Sequence, residues 1–162
     1  MPYISDSANL YRVETAQKAV ILTMLGGEEL RGSVFIHPSS YRPFELEDVS
    51  ELLNSGPPFF PLELETGEVV IVSKQRVAEA AANRGDDASE PPRGAPSPTA
   101  LLQIVLVGGE VRLGSIRLEA PPHRARVLDY LNALTSRFLT LYTSNDARLI
   151  NSSLIDRVRP LD

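Results

Sequence analysis

Two stretches of the chain carry apolar and β-branched side chains up to a Gly-Gly pair and resume the apolar pattern after it. Residues 20–36 read VILTMLGGEELRGSVFI, and residues 102–118 read LQIVLVGGEVRLGSIRL. A Gly-Gly pair supplies the positive φ angles of a tight turn, so each stretch is predicted to form a β-hairpin. The second strand of each hairpin contains a glycine, Gly32 or Gly114, which indicates a bulge or a sharp bend.

After each hairpin the apolar spacing changes and predicts a short helix, at 45–54 in the first half and 126–134 in the second. Three further strands, separated by turn-forming residues, are predicted after each helix. They span 59–64, 69–72 and 77–80 in the first half, and 138–142, 148–150 and 154–158 in the second. The predicted elements therefore occur in the same order in both halves.

Four blocks of sequence also recur collinearly. They pair 20–36 with 102–118, 51–54 with 129–132, 59–62 with 138–141, and 69–80 with 147–158. Chance can supply one such block, because strands draw on few residue types, but four in one order indicate a tandem duplication. We therefore predict a mainly β fold of two tandem small β-barrel units, each with a short helix.

The residues between the two halves cannot form a packed core. Residues 81–99 contain four prolines, two glycines and no aliphatic side chain larger than alanine. Such a segment buries too little apolar surface to offset its ordering entropy, which predicts a disordered linker. The predicted organisation is an N-terminal extension at 1–18, a first barrel repeat at 19–80, a flexible Pro-rich linker at 81–100 and a second barrel repeat at 101–162.

The order of motifs resembles the SH3-like and Sm-like small β-barrels. The resemblance rests on an apolar strand, Gly-Gly-Glu, a strand with glycine, an acidic residue three positions before Asn, and a closing strand. It implies tandem small barrels and, for Sm proteins, a pocket for an RNA base formed with an Arg-Gly pair. Ser73-Lys74 and Asn151-Ser152 stand where that pair would lie. The chain is also similar to uncharacterised bacterial proteins with an Asp-x-Leu-Asn…Phe-Leu-x-Leu signature.

Polar residues retained in both copies are the first candidate site. Glu51 and Asn54 in one half match Asp129 and Asn132 in the other. An acidic residue near the start of a helix offsets the helix dipole, and an Asn near its end tolerates the left-handed cap conformation. A structural cap and a ligand contact are the two interpretations of these pairs.

Charge is shared unequally between the halves. The net charge is −5; residues 1–80 carry 6 basic and 12 acidic side chains, whereas residues 101–162 carry 8 arginines and 6 acidic side chains. Arg124, Arg126 and Arg137 lie around the second predicted helix, where the first is acidic. Opposite charge at equivalent positions favours docking of one unit against the other, within one chain or head-to-tail between chains. Drift on two solvated surfaces is the alternative.

Little in the sequence indicates catalysis. The chain has no cysteine, and His37 and His123 stand beside prolines, as exposed loop histidines do. It has no phosphate loop, nucleophile elbow or regularly spaced metal-ligand oxygens, so we expect no cofactor and no metal. No apolar run approaches the ~20 residues of a membrane helix, and no secretory signal is visible, which predicts a cytoplasmic protein.

These observations favour a non-enzymatic protein-interaction or scaffold module with regulatory potential. The expected partner is another protein or a second copy docked head-to-tail. Sm-like binding of RNA or a nucleotide is one alternative, although the acidic chain argues against nucleic acid. Sensing of a small ligand held between the two units is the other.

Overall fold

A computed structural model describes residues 16–37, 48–83, 99–118 and 126–161. These residues form ten strands and two short helices, which confirms the mainly β class. The strands of the first half are β1 (Ala16–Met24), β2 (Glu29–Ile36), β3 (Phe59–Leu64), β4 (Val69–Ser73) and β5 (Val77–Ala82). Those of the second half are β6 (Thr99–Leu106), β7 (Val111–Arg117), β8 (Phe138–Tyr142), β9 (Ala147–Asn151) and β10 (Ile155–Pro160).

The described residues of each half also contain one α-helix and one 3₁₀ turn. The helices are α1 (Val49–Asn54) and α2 (Val127–Ala133), and the 3₁₀ turns are η1 (Lys74–Arg76) and η2 (Ser152–Leu154). Each helix precedes the third strand of its half, and each 3₁₀ turn precedes the fifth. Neither helix found in the described part of the chain is long and apolar enough to cross a membrane.

Both predicted Gly-Gly hairpins are confirmed. β1 pairs antiparallel with β2, and β6 pairs antiparallel with β7. Gly27 and Gly109 take φ angles of 91° and 88°, where an L-residue with a side chain would be strained. Their amides donate to the carbonyls of Met24 and Leu106 at 2.8 Å, which closes each turn.

The bulges predicted at Gly32 and Gly114 are not present in these hairpins, because the register of β1 with β2 and of β6 with β7 runs through both glycines without a shift. The glycines are needed for a different reason. A Cβ on Gly32 would overlap the carbonyl oxygen of Glu63 in β3, and one on Gly114 would lie 2.6 Å from the carbonyl oxygen of Tyr142 in β8. Glycine therefore allows the third strand of each half to approach the second.

All ten strands belong to one sheet, in the order β10-β6-β7-β8-β9-β5-β1-β2-β3-β4. The sheet is not closed into a barrel, so the prediction of barrel units needs correction. The fifth strand of the first half, β5, pairs with β9 of the second half from Glu79↔Ile150 to Ala82↔Ala147. This pairing merges the halves and leaves β4 and β10 at the two ends of the sheet. Within each half the order is the same: fifth, first, second, third, fourth strand.

Two clusters of buried side chains lie along this sheet. The first is built from β1 to β5 and α1, and it also includes Phe138 of β8 and Leu149 of β9. The second is built from residues of β6 to β9 together with Leu118, which follows β7. The core of the first half is thus completed by side chains of the second half.

The predicted segment boundaries fall partly inside strands. Residues 81–82 end β5 and residues 99–100 begin β6, while residues 84–98 lie outside the described part of the chain. Residues 1–15 of the predicted N-terminal extension also lie outside it.

Candidate functional site

Helix α1 begins and ends through local hydrogen bonds. Asp48 precedes the helix, and its carboxylate accepts the amide of Glu51 at 2.7 Å. This satisfies one of the amides that a helix start leaves free. At the other end, Ser55 is the C-cap in an extended conformation, and Gly56 takes the positive φ of 75°. Asn54 is the last helical residue, so its side chain projects at the point where the helix stops.

The Asn54 side chain joins the two halves of the chain. Its Oδ1 accepts the backbone amide of Phe138 at 2.7 Å, and its Nδ2 donates to the carbonyl of Phe138 at 3.2 Å. Nδ2 also lies 3.2 Å from the Ser50 hydroxyl. Phe138 is the first residue of β8 and its side chain is buried in the first core. Asn54 therefore holds the start of a strand that lies 84 residues away.

The second copy of the motif lies in a different environment. Asp129 is in the first turn of α2, and both it and Asn132 are exposed. Arg126 is the N-cap residue of α2, also exposed, and makes no side-chain cap bond. Arg124 lies outside the described residues. The same sequence motif is thus at an interface in the first half and at the surface in the second.

A buried carboxylate that the sequence did not single out lies at the junction. Glu79 of β5 accepts two hydrogen bonds from Arg112 Nε and Nη2, both at 2.9 Å, and lies 3.5 Å from Arg148 Nη1. The Glu79 side chain is only 5% exposed. These hydrogen bonds raise the pKa of Arg112 above its ordinary value, because they favour the charged guanidinium. The local sequence Val77-Ala78-Glu79-Ala80 does not predict this ion pair, because both arginines lie on other strands.

A cleft of about 600 Å³ opens between the ends of the two halves. Asn54 and Arg137 both line it, whereas Glu51, Arg126, Asp129 and Asn132 do not. The other polar residues that line the cleft are Ser55, Lys74, Gln75, Thr135, Ser136, Asn151, Ser152 and Ser153. The structure therefore brings together two of the predicted site residues, one from each half.

Several polar groups of the cleft are engaged in structural hydrogen bonds. Lys74 Nζ donates to the carbonyl of Ser55 at 2.6 Å, and Asn151 Nδ2 donates to the carbonyl of Val77 at 3.0 Å. The Ser152 hydroxyl donates to the carbonyl of Arg137 at 3.0 Å. These bonds hold the two 3₁₀ turns in place.

The two ends of the sheet present different surfaces. At one end, the outer face of the β3–β4 hairpin exposes three large apolar side chains, Phe59, Val69 and Ile71. We call these three residues the outer apolar face. At the other end, β10 carries the exposed residues Asp156, Arg157, Arg159 and Pro160. Both end strands have one edge without a partner strand in the described sheet.

The described residues give little evidence of a metal site or of a catalytic histidine. Within residues 16–37, 48–83, 99–118 and 126–161, no three His, Asp or Glu side chains lie close enough together to hold a metal ion. His37 is exposed after β2, as predicted, and His123 lies outside the described residues.

No protein-family model matches the chain, and no curated protein or solved structure matches it either. The resemblance to SH3-like, Sm-like and uncharacterised bacterial families stays a prediction. What the fold defines is a mainly β protein with one open sheet of ten described strands.

Proposed function

We propose that the chain is a non-enzymatic protein-interaction or scaffold module built from a duplicated five-stranded unit. The observation that carries the proposal is the outer apolar face, which lies on an edge hairpin of the sheet. An edge strand presents unpaired backbone groups, and proteins bind such edges by adding a strand. Exposed apolar side chains beside the edge add apolar surface that is removed from water on binding, which favours the complex.

Three structural features support the duplicated unit. Both halves have the same order of strands in the sheet, and both have a helix and a 3₁₀ turn at the same points. The register of the third and fourth strands also agrees, since Phe59 pairs with Ser73 in one half and Phe138 pairs with Asn151 in the other. A duplication explains this agreement more simply than two independent origins.

Site-specific photo-crosslinking in the cells that produce the chain tests the interaction role. A photoreactive amino acid at Ile71 should form adducts with protein. The matched control places the same amino acid at Leu113, an exposed apolar position on the interior strand β7. Protein adducts at position 71 that are absent at position 113 support the proposal. Equal labelling at both positions, or none at position 71, contradicts it.

The cleft supports a second candidate, the binding of a small polar ligand or nucleotide between the halves. Lys74 and Arg137 contribute one cationic side chain from each half. The volume of about 600 Å³ falls within the range of about 300–1,000 Å³ that ligand pockets span. Titration with nucleotides and short RNA, followed by amide chemical shifts, should then perturb the cleft residues. The shifts should disappear in Arg137→Ala, and unchanged shifts in the wild-type chain would exclude this candidate.

A further inference from the structure

The junction inside the chain has three parts. The strand ladder pairs Ala80 with Leu149 and Ala82 with Ala147. Phe138 and Leu149 enter the first core, and Asn54 holds the backbone of Phe138. We call the face of the second half that carries Phe138, Ala147 and Leu149 the plug. We call the surface of the first half that receives it, formed by β5, α1 and Asn54, the receptor.

The first half carries the counterpart of that plug. The registers of the two hairpins align three buried residues of the second half with the three residues of the outer apolar face. Phe138, Leu149 and Ala147 are 1%, 0% and 0% exposed, whereas their counterparts Phe59, Ile71 and Val69 are 55%, 75% and 53% exposed. The same hairpin face is thus buried at the junction in one half and open to solvent in the other.

The second half carries the counterpart of the receptor. In α1, Val49 and Leu53 are buried in the first core. Their counterparts in α2, Val127 and Leu131, are only half-buried around the second core, and α2 buries no residue fully. Among the described residues, all buried members of the second core come from the second half, so no plug from elsewhere in the described part of the chain covers it.

The remaining receptor parts are present as well. Val158 of β10 corresponds to Ala80 of β5; Ala80 is fully buried, whereas Val158 is half-buried. Asn132 corresponds to Asn54 and is exposed on α2. The second half therefore has an open strand edge, a half-covered core and an unburied Asn in the same arrangement that receives Phe138 and Leu149 in the first half.

We propose that the partner of the outer apolar face is the second half of another copy of this chain. β4 of one copy pairs antiparallel with β10 of the next, with Ile71 opposite Val158, as Leu149 lies opposite Ala80 within the chain. Phe59 and Ile71 enter the second core of the next copy, and Asn132 of that copy holds the backbone of Phe59. The proposal rests on the proposed function and specifies its partner.

Charge at the two surfaces is complementary. The β3–β4 hairpin contains Glu63, Glu65 and Glu68 and no basic residue. The β10 strand contains two arginines, Arg157 and Arg159, beside one acidic residue. Opposite charge on two docking surfaces favours this pairing over contact between two identical surfaces, which would bring like charges together.

The two surfaces are different, so the contact is heterologous. A head-to-tail complex of any size keeps one free plug at one end and one free receptor at the other. Further copies can therefore add, and the assembly either closes into a ring or extends as an open chain. Pro160 has no amide hydrogen, so the strand ladder between copies ends there. The pair of Val158 and Ile71 lies at the centre of the contact.

Light scattering over a concentration series is the first test. The wild-type chain should have a mass above that of one 17.7 kDa chain. Ile71→Asp should raise the dissociation constant about 100-fold or more, because a charge replaces an apolar side chain at the centre of the interface. The control Leu113→Asp changes a residue that is 57% exposed on an interior strand, and it should associate as the wild type does.

Mixing two variants tests the head-to-tail arrangement. Ile71→Asp blocks the plug, and the double variant Arg157→Glu/Arg159→Glu blocks the receptor through repulsion by the acidic hairpin. Each should be monomeric alone and remain folded by far-UV circular dichroism. Their mixture should form a complex of two chains and no larger species, because each contributes its one intact surface. Failure of the two folded variants to complement each other, with a dimeric wild type, would indicate a symmetric contact and overturn the proposal.

A single 17.7 kDa chain at every concentration would also overturn the proposal. The photo-crosslinking at position 71 then separates the two claims. Adducts with a different protein would leave the interaction role standing and remove self-association, whereas absence of adducts would remove both. Asn132→Ala adds a third measurement: it should weaken association about tenfold, through loss of the bond to Phe59, without changing the unfolding of the monomer.

Discussion

At the scale of single residues, Asn54 shows how one amide side chain can hold a strand in place. It satisfies both backbone groups of Phe138, at 2.7 and 3.2 Å, beside a buried phenylalanine ring. Asn54→Ala leaves both groups without these partners, and we expect a loss of about 1–3 kcal/mol in the free energy of unfolding. Urea unfolding of dilute protein, where copies do not associate, measures this loss.

The second copy of the motif provides the matched control. Asn132 is exposed, so Asn132→Ala should change the free energy of unfolding by less than about 0.5 kcal/mol under the same conditions. Equal losses for the two variants would show that both Asn residues act within their own helices, and would contradict the bridging role of Asn54.

The contributions of Glu79 and Arg112 to the free energy of unfolding should be coupled, because the two side chains form an ion pair. Glu79 is buried, whereas the Arg112 side chain is 25% exposed, so solvent screens part of the interaction. A double-mutant cycle with Glu79→Ala and Arg112→Ala should give a coupling energy of about 1–2 kcal/mol. Additive losses would show that the two groups act independently.

The same pair carries a pH prediction. The hydrogen bonds to Glu79 raise the pKa of Arg112 above its ordinary value, so the stabilisation by its charge is fully present below that ordinary value and is lost only as pH rises through the higher folded value. Raising the pH from about 7 to about 10 should therefore leave the measured coupling energy unchanged. A falling coupling energy over that range would mean that another group supplies it.

At the scale of elements, β2 and β3 approach each other so closely at Gly32 that this position should not tolerate a side chain. A Cβ there would overlap the backbone of Glu63, which cannot move without disturbing the ladder. Gly32→Ala should lower the free energy of unfolding by about 2–4 kcal/mol in urea.

Gly26→Ala is the control, since nothing lies within 4 Å of a Cβ built there. This variant should unfold within about 0.5 kcal/mol of the wild type. A large loss at Gly26, or a small one at Gly32, would contradict the explanation by close approach.

Most strands and both helices could be predicted because their signals are local. Apolar alternation and the Gly-Gly turn are contained within residues 20–36, and the helix predicted at 126–134 matches α2 closely. The helix predicted at 45–54 is described only from Val49 onward. Of the bulge or sharp bend predicted at Gly32 and Gly114, the bulge is wrong, because the sequence around each glycine does not show which backbone packs against it.

The candidate site was only partly predictable because its contacts connect distant residues. The repeat drew attention to Asn54, but Phe138, its partner, lies 84 residues further along the chain. Glu79 looks like a surface residue among small neighbours, and its burial depends on Arg112 of another strand. Local pattern carries no information on such pairings.

At the scale of the whole molecule, the β5–β9 pairing explains why the prediction of two closed barrel units was wrong. A repeat determines which strands exist, but a fifth strand can pair within its own half or with the neighbouring half. The structure shows that β5 pairs with both β1 and β9. The shared core and Asn54 add to this pairing, so the halves should hold together without a covalent link.

Cutting the chain tests this cohesion. A protease site inserted within residues 84–98 should allow cleavage, and the two fragments should still elute together under native conditions. They should separate in denaturant. Elution as two independent fragments without denaturant would show that the junction is too weak to hold the halves.

The sharing of the first core has a consequence for biosynthesis. Phe138 and Leu149 complete that core, yet they leave the ribosome long after β5 has been made. About 70 residues separate the ends of β5 and β9, which at roughly 5–20 residues per second corresponds to a delay of roughly 4–14 s. Throughout that interval the nascent first half has an open β5 edge and an uncovered core. Newly made chains are therefore most exposed to chaperones and to wrong partners before translation ends.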